Sequence, residues 1–155
     1  MKTVVKKSYE TMFLVDSAEA ASDWDGINAL LRNVLEKAGA EIVSMKKWDE
    51  CKLAYDVKGK SRGTYILCYY LAEGGKIAEV EKDVRLSGRV MRVLTLTAEH
   101  MTREDMEKDT PAVRAQKQWQ QDALDRKEAE DKKGTEPEKG QEAKTGVDAV
   151  DSRQV

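Results

Sequence analysis

The sequence has few of the residues on which most enzymes and metal sites depend. Its 155 residues include one histidine, His100, and two cysteines, Cys51 and Cys68. At these spacings they match no zinc-binding pattern, and residues 74–76 lack the surrounding glycine pattern of a phosphate-binding loop. We therefore expect a protein that is not an enzyme, that holds no metal and no cofactor, and whose histidine lies on the surface.

Long apolar runs are also missing. No segment reaches the roughly 20 consecutive apolar residues of a membrane-spanning helix, and the N-terminus shows no charged segment followed by an apolar one. A soluble cytoplasmic protein is the expectation. In a reducing cytosol Cys51 and Cys68 should remain free thiols, although we expect them near one another on opposite arms of a hairpin.

Proline occurs only twice, and both prolines lie in the C-terminal third, where composition changes. Residues 1–98 contain 16 basic and 14 acidic residues, whereas residues 99–155 contain 11 and 15 and lose nearly all large apolar side chains after Leu124. Such a segment buries too little apolar surface to offset its chain entropy. The sequence predicts a folded domain over 1–98, a partly helical, charged and solvated extension over 99–133 interrupted at Pro111, and a disordered tail over 134–155.

The spacing of apolar residues changes several times within the first 98 residues, as it does where strands alternate with helices. A strand over 8–16 has apolar residues on both faces, as is typical of a central strand. A helix follows between Ser22 and Gly39, and a second helix between Gly75 and Ser87 turns Ile77, Val80, Val84 and Leu86 inward. A last strand covers 89–97.

A long hairpin over residues 41–71 connects the two helices. Its arms are rich in β-branched and aromatic residues, and two glycines at 59–63 mark the turn. The resulting β-α-β-β-α-β order predicts a ferredoxin-like α+β fold, in which a four-stranded antiparallel sheet carries two helices on one face. The other face of the sheet stays open.

The same fold serves in RNA-recognition motifs, but the match is incomplete. Residues 62–69 have the basic-glycine start of the third-strand signature, whereas Thr64 and Ile66 stand where stacking aromatics belong. An apolar rather than aromatic open face indicates a protein partner there. Basic residues concentrate along the hairpin and at the ends of the first and last strands, where a phosphate backbone is the natural complement. The alternative is that these charges only guard strand edges against aggregation.

Five motifs, in order and without large gaps over residues 7–98, resemble the bacterial small-subunit ribosomal protein S6 family. They are Tyr9-Glu10-Thr11-Met12-Phe13-Leu14, Ala38-Gly39-Ala40, Trp48 with Lys52-Leu53-Ala54-Tyr55, Gly63-Thr64-Tyr65, and Val90-Met91-Arg92-Val93-Leu94. The resemblance implies the ferredoxin-like fold, no catalysis, a place on the ribosome, binding to the central domain of 16S ribosomal RNA, and a heterodimer with ribosomal protein S18. Where the family commonly has Gly-x-Arg, residues 49–51 are Asp-Glu-Cys, which puts an RNA contact at Cys51 in doubt.

On these grounds we expect a structural RNA-binding protein of the small ribosomal subunit. The candidate RNA-binding residues are six cations and two tyrosines beside them: Lys7, Tyr9, Lys52, Tyr55, Lys58, Arg62, Arg89 and Arg92. The alternative is a stand-alone ferredoxin-like module for RNA or a small ligand. An acylphosphatase-like hydrolase ranks third, because no loop offers an arginine and an asparagine for a phosphate.

Overall fold

The computed structural model describes residues 4–133. The tail predicted over 134–155 lies outside the described residues. In chain order the elements are β1 (Lys6–Asp16), α1 (Ser17–Ser22), α2 (Trp24–Lys37), β2 (Glu41–Val57), β3 (Lys60–Glu73), a 3-10 turn (Gly74–Lys76), α3 (Ile77–Leu86), β4 (Val90–Thr97), α4 (Arg103–Glu107) and α5 (Pro111–Lys133).

The four strands form one antiparallel sheet in the order β2-β3-β1-β4, which confirms the ferredoxin-like fold and the central place of β1. Phe13 lies opposite Ile66 on one side and Val93 on the other. Because strand side chains alternate between faces, the odd-numbered residues of β1 and the even-numbered residues of β3 share the face that α2 and α3 cover. The main core lies between them and includes fully buried Leu31 and Val84.

The hairpin turns one residue earlier and more tightly than the sequence predicted. Val57 pairs with Lys60, so the turn consists of Lys58 and Gly59, whose φ angles are 48° and 75°. Two positive φ angles match the right-handed twist of the flanking strands, and glycine adopts one of them without a Cβ clash. The predicted turn over 59–63 is therefore wrong, since β3 already begins at Lys60.

The two cysteines do not face one another, contrary to expectation. Cys51 lies opposite Gly63, and Cys68 lies opposite Met45. The displaced turn and three register shifts along β2 account for the error, because each shift moves a residue away from the partner that counting outward from the turn assigns. Both thiols are free, as expected.

The helices begin and end close to where the sequence placed them. The Asp23 side chain accepts a hydrogen bond from the Gly26 amide at the start of α2, and Gly39 has a φ of 74° after its end. The short helix α1 was not predicted. Leu86 was predicted to face inward but is 73% exposed, because it follows buried Val84 by two residues and so points away from the apolar stripe.

Residues 98–110, which we call the strap, pack on the sheet face that the helices leave open. Ala98, Met101 and Met106 lie in a second apolar cluster with Leu67 and Tyr69 of β3. The strap is also held at the edge strand β2 by side-chain to backbone hydrogen bonds: Ser44 Oγ to the Met106 carbonyl at 2.7 Å, Lys46 Nζ to the Glu107 carbonyl at 2.6 Å, and the Thr110 hydroxyl to the Lys47 carbonyl. The expectation of a solvated extension is wrong for this segment.

Helix α5 begins at Pro111, where the sequence predicted an interruption. Within α5, Trp119 is 79% exposed, and Leu124 is exposed as well. The chain divides into one unit that ends at Trp119 and a second that begins at Gln120, whose described part is the remainder of α5.

Candidate nucleic-acid and partner interface

The β2–β3 hairpin extends beyond the rest of the sheet. Pairing between β1 and β3 stops where Asp16 meets Gly63, so residues 52–62, which we call the hairpin arm, have no third strand beside them. Lys52 lies opposite Arg62 on the arm, and Lys58 forms part of its tip. All three side chains are exposed, so the arm presents cations to solvent.

The cations of the arm differ in how far acidic residues neutralise them. Arg62 Nη2 lies 3.8 Å from Glu50 Oε1, and Lys60 Nζ lies 3.3 Å from Asp16 Oδ2. Within the described residues, Lys52 and Lys58 form no ion pair. A phosphate can therefore bind these two lysines without displacing a carboxylate of the same chain.

An acidic residue of the Asp49-Glu50-Cys51 segment lies close to the arm. Glu50 Oε2 is 2.7 Å from Lys47 Nζ, and its other oxygen faces Arg62. One carboxylate thus lies between two cations and lowers the positive potential at the base of the arm. This arrangement leaves the greater part of the free positive charge at Lys52 and Lys58.

Lys7 and Arg89 lie elsewhere and are paired. Lys7 Nζ is 3.1 Å from Glu99. Arg89 Nε is 2.5 Å from Glu19 Oε1 and its Nη2 is 2.8 Å from Asp23 Oδ2, and these two hydrogen bonds raise the arginine pKa further above its usual range. Arg89 therefore ties the α1–α2 junction to the start of β4, and the structure does not bring it to the arm.

Tyr9 lies in the core rather than on the surface. The residue is 8% exposed, and its ring stacks on that of Tyr70, with ring centroids 6.0 Å apart and planes inclined by 28°. The sequence signal was ambiguous, because a tyrosine near the start of a central strand can face either side of the sheet. The structure therefore does not place Tyr9 with the exposed candidates.

Tyr55 and Arg92 meet on the open face of the sheet. The Arg92 guanidinium carbon is 5.2 Å from the centroid of the Tyr55 ring, a cation–π distance. Together they border a groove of about 460 Å³, which we call the apolar groove. Its other lining residues are Met12, Leu14, Leu53, Ala54, Val57, Tyr65, Val93 and Leu94.

Sequence reasoning missed most of the apolar groove. Leu94 at its border is 60% exposed, and Leu96 farther along β4 is 53% exposed. The signal was present in the alternation of β4, because every second residue, Arg92, Leu94 and Leu96, shares the face opposite the helices. Exposed large apolar side chains on one sheet face mark an interaction surface.

Gly63 lies where two leucine side chains of the apolar groove leave no room for a Cβ. A Cβ on this residue would lie 2.4 Å from Leu14 Cδ1 and 3.1 Å from Leu53 Cδ2. Glycine therefore lets a β1 leucine and a β2 leucine close over β3. This close approach gives a physical reason for the glycine of the Gly63-Thr64-Tyr65 motif.

The described part of the chain offers little for other chemistry. No group of three or more histidine, cysteine, aspartate or glutamate side chains within residues 4–133 is arranged to hold a metal ion. Burial raises the pKa of the Cys68 thiol from its usual 9.0 to about 12, against a smaller opposing effect of Arg32, so this thiol stays protonated near neutral pH. Among the described helices, none combines the length and apolar character needed to cross a membrane.

Comparison with known proteins gives consistent matches. The family model described as Ribosomal protein S6 matches residues 8–97. The small ribosomal subunit protein bS6 of Syntrophobacter fumaroxidans is 32% identical over 109 residues, which cover 70% of this chain and 73% of that protein. The protein of the same name from Rhodopirellula baltica is 34% identical over 89 residues, which cover 57% of this chain and 64% of that protein.

One solved structure supports the fold. The 30S ribosomal protein S6 of Thermotoga maritima superposes with a TM-score of 0.54 at 20% sequence identity, covering 59% of this chain and 87% of that chain. At this identity the likeness concerns the architecture alone. The matched span in sequence, residues 8–97, coincides with the sheet and the helices α1, α2 and α3.

Proposed function

Because the chain belongs to the ribosomal protein S6 family, we propose that it is a structural component of the small ribosomal subunit in the cytoplasm. In this role it binds the central domain of 16S ribosomal RNA together with ribosomal protein S18. The observation that carries the proposal is the family match over the whole ferredoxin-like domain. The protein acts by binding rather than by catalysis.

The hairpin arm is the part of the surface best suited to RNA. Lys52 and Lys58 carry charges that no acid of the described chain neutralises, and Arg62 adds a third cation at 3.8 Å from its acidic neighbour. Phosphate contacts of this kind position a protein on RNA without reading its sequence. Lys7 and Arg89 contribute less, because RNA must first compete with their carboxylate partners.

The apolar groove is the part best suited to ribosomal protein S18. It lies on the open sheet face, and its floor is formed by aliphatic side chains such as Leu14 and Leu53. Side chains of β3 alternate between the two faces of the sheet, so Tyr65, which lines the groove, and Arg62 lie on opposite faces. The groove and the Lys52–Arg62 pair therefore face in opposite directions. One arm can therefore contact RNA on one side while the sheet contacts a protein on the other.

The RNA part of the proposal is tested by the salt dependence of binding. The affinity of the full chain for a central-domain 16S RNA fragment, with ribosomal protein S18 present, should fall as salt rises, by roughly 0.7–0.9 log unit per log unit of salt for each neutralised phosphate. Lys52→Gln and Lys58→Gln should each weaken binding and reduce that slope by about one contact.

Lys82→Gln is the matched control, because Lys82 is an exposed lysine on α3, away from the arm, that forms no ion pair among the described residues. This variant should bind RNA as the unmodified chain does. An affinity that is the same at low and moderate salt would show that the electrostatic part of the proposal is wrong.

A further inference from the structure

The apolar groove contains a single charged side chain. Of the described residues that line it, only Arg92 is charged, and no acidic residue borders it. Arg92 forms no ion pair with any carboxylate in residues 4–133, unlike Arg62, Arg85, Arg89 and Arg103. The groove thus presents an unpaired cation beside an aliphatic floor.

The guanidinium of Arg92 is held in place by the aromatic ring of Tyr55. Arg92 lies opposite Leu14 in the β1–β4 pairing, which puts it on the groove side of the sheet. A guanidinium whose carbon lies 5.2 Å from a ring centroid makes a cation–π contact, and no carboxylate of the described residues pairs with its N–H donors. The edge of a guanidinium has the geometry for two parallel hydrogen bonds to one carboxylate.

We propose that Arg92 recognises a carboxylate of the protein that occupies the apolar groove. The occupant is a segment of ribosomal protein S18 that packs aliphatic side chains against Leu14, Leu53 and Leu94 and places an aspartate or glutamate against Arg92. This inference rests on the proposed function, to which it adds the chemistry of the contact. Tyr55 acts as a positioning residue for the guanidinium.

The surroundings favour a protein carboxylate over an RNA phosphate at this position. Single-stranded RNA is held by several cations together with aromatic platforms. The groove offers one cation and two tyrosines, Tyr55 and Tyr65, in an otherwise aliphatic lining, and Tyr55 already contacts the guanidinium. Lys52 and Arg62 lie on the opposite side of the hairpin. The groove therefore complements an apolar segment that carries one negative charge.

The test measures the affinity of the full chain for purified ribosomal protein S18 from the same organism, at one fixed salt concentration. Arg92→Gln should weaken binding by roughly 10- to 100-fold, because it leaves a partner carboxylate desolvated without its cation, and Arg92→Glu should weaken it further. Tyr55→Leu should give a smaller loss, since it keeps an apolar contact but removes the support of the guanidinium. Lys82→Gln, on α3 and away from the groove, should leave this affinity unchanged.

A charge-reversal experiment identifies the partner group. Each acidic residue of ribosomal protein S18 is changed to arginine and tested against the Arg92→Glu variant, and one reversal should restore most of the lost affinity. Equal binding of S18 by the unmodified chain and Arg92→Gln would overturn the inference while leaving the proposed function intact. The inference would also be overturned if Arg92→Gln weakened binding to the RNA fragment but not to S18, because Arg92 would then be an RNA contact. Absence of S18 binding by the unmodified chain would overturn both.

Discussion

Gly63 shows how much a single residue contributes to the open face of the sheet. Its missing side chain is what allows Leu14 and Leu53 to approach the same point on β3. Gly75, in the 3-10 turn before α3, has open space where a Cβ would be and no positive φ. Substituting each of these two glycines by alanine therefore distinguishes the effect of close side-chain packing from the effect of backbone freedom.

Gly63→Ala should destabilise the protein by about 1 kcal/mol, because a Cβ 2.4 Å from Leu14 Cδ1 forces the end of this buried side chain into another rotamer. Gly75→Ala should stay within about 0.5 kcal/mol of the unmodified protein. Urea unfolding followed by circular dichroism measures both. If the two substitutions have equal effects, the packing explanation of Gly63 is wrong.

The buried thiol of Cys68 should make the free energy of unfolding depend on pH in the alkaline range. Burial raises its thiol pKa to about 12, so between pH 9 and that value the folded state keeps a proton that the unfolded state releases. Because the folded pKa lies above the unfolded one, the stabilisation is complete below pH 9 and is lost as pH rises, by roughly 1.4 kcal/mol per pH unit for one such group.

The free energy of unfolding of the full chain should therefore fall more steeply between pH 9 and 11 than that of Cys68→Ala. Cys51→Ala is the control, since Cys51 is only half-buried. It should keep the slope of the unmodified chain. Identical slopes for the unmodified chain and Cys68→Ala would contradict the account of this thiol.

At the scale of elements, the sequence was sufficient for the sheet, the two long helices and their order, because apolar period and helix-ending glycines are local signals. It was insufficient for the position of the turn. Lys58 adopts a positive φ angle, which a lysine rarely does, and the three register shifts of β2 arise from pairing with β3 rather than from local preference. The same limit explains the cysteine error.

The strap was missed for a related reason. Its apolar residues, Met101 and Met106, are few and far apart, so they form no periodic pattern of their own. They are buried only because the sheet supplies Leu67 and Tyr69 opposite them. The exposed basic side chains of the arm could be expected from the concentration of basic residues along the hairpin. The pairing of Arg89 with two acidic residues and the burial of Tyr9 could not, because they depend on tertiary contacts.

Deleting residues 102–155 should leave a folded domain that is less stable by about 2–4 kcal/mol, because Met106 no longer covers Leu67 and Tyr69. Deleting residues 120–155 should change stability by less than about 0.5 kcal/mol, since Gln120 begins a separate unit. Thermal and urea unfolding measure both truncations. A loss of cooperative unfolding in the shorter chain would show that the strap is essential to the domain.

The pKa of the Tyr69 phenol measures whether the strap covers this ring. Burial, then the nearby Glu10, raises its pKa to about 12. In the chain truncated after residue 101 the ring gains solvent, so its pKa should move down toward the usual 10.0. Ultraviolet titration of both chains, with Tyr69→Phe to assign the signal, measures the change. An unaltered pKa would mean that the strap does not cover this ring.

For the whole molecule, the proposed function assigns two kinds of contact to different surfaces. The Lys52–Arg62 pair and the apolar groove lie on opposite sides of the β2–β3 hairpin, so the proposed RNA and protein partners would not compete for one surface. We propose residues 1–98 as the ribosomal domain, with the strap as a covering that narrows the open face to the groove. Beyond it, the charged helix α5 continues the extension.

The central claim is that the chain is a component of the small ribosomal subunit, and sucrose-gradient sedimentation of a cell lysate tests it most directly. A tagged full-length chain should migrate with the small subunit, and high salt should release part of it because the proposed RNA contacts are electrostatic. A chain found only in the soluble fractions at the top of the gradient, with none on small subunits, would contradict the account.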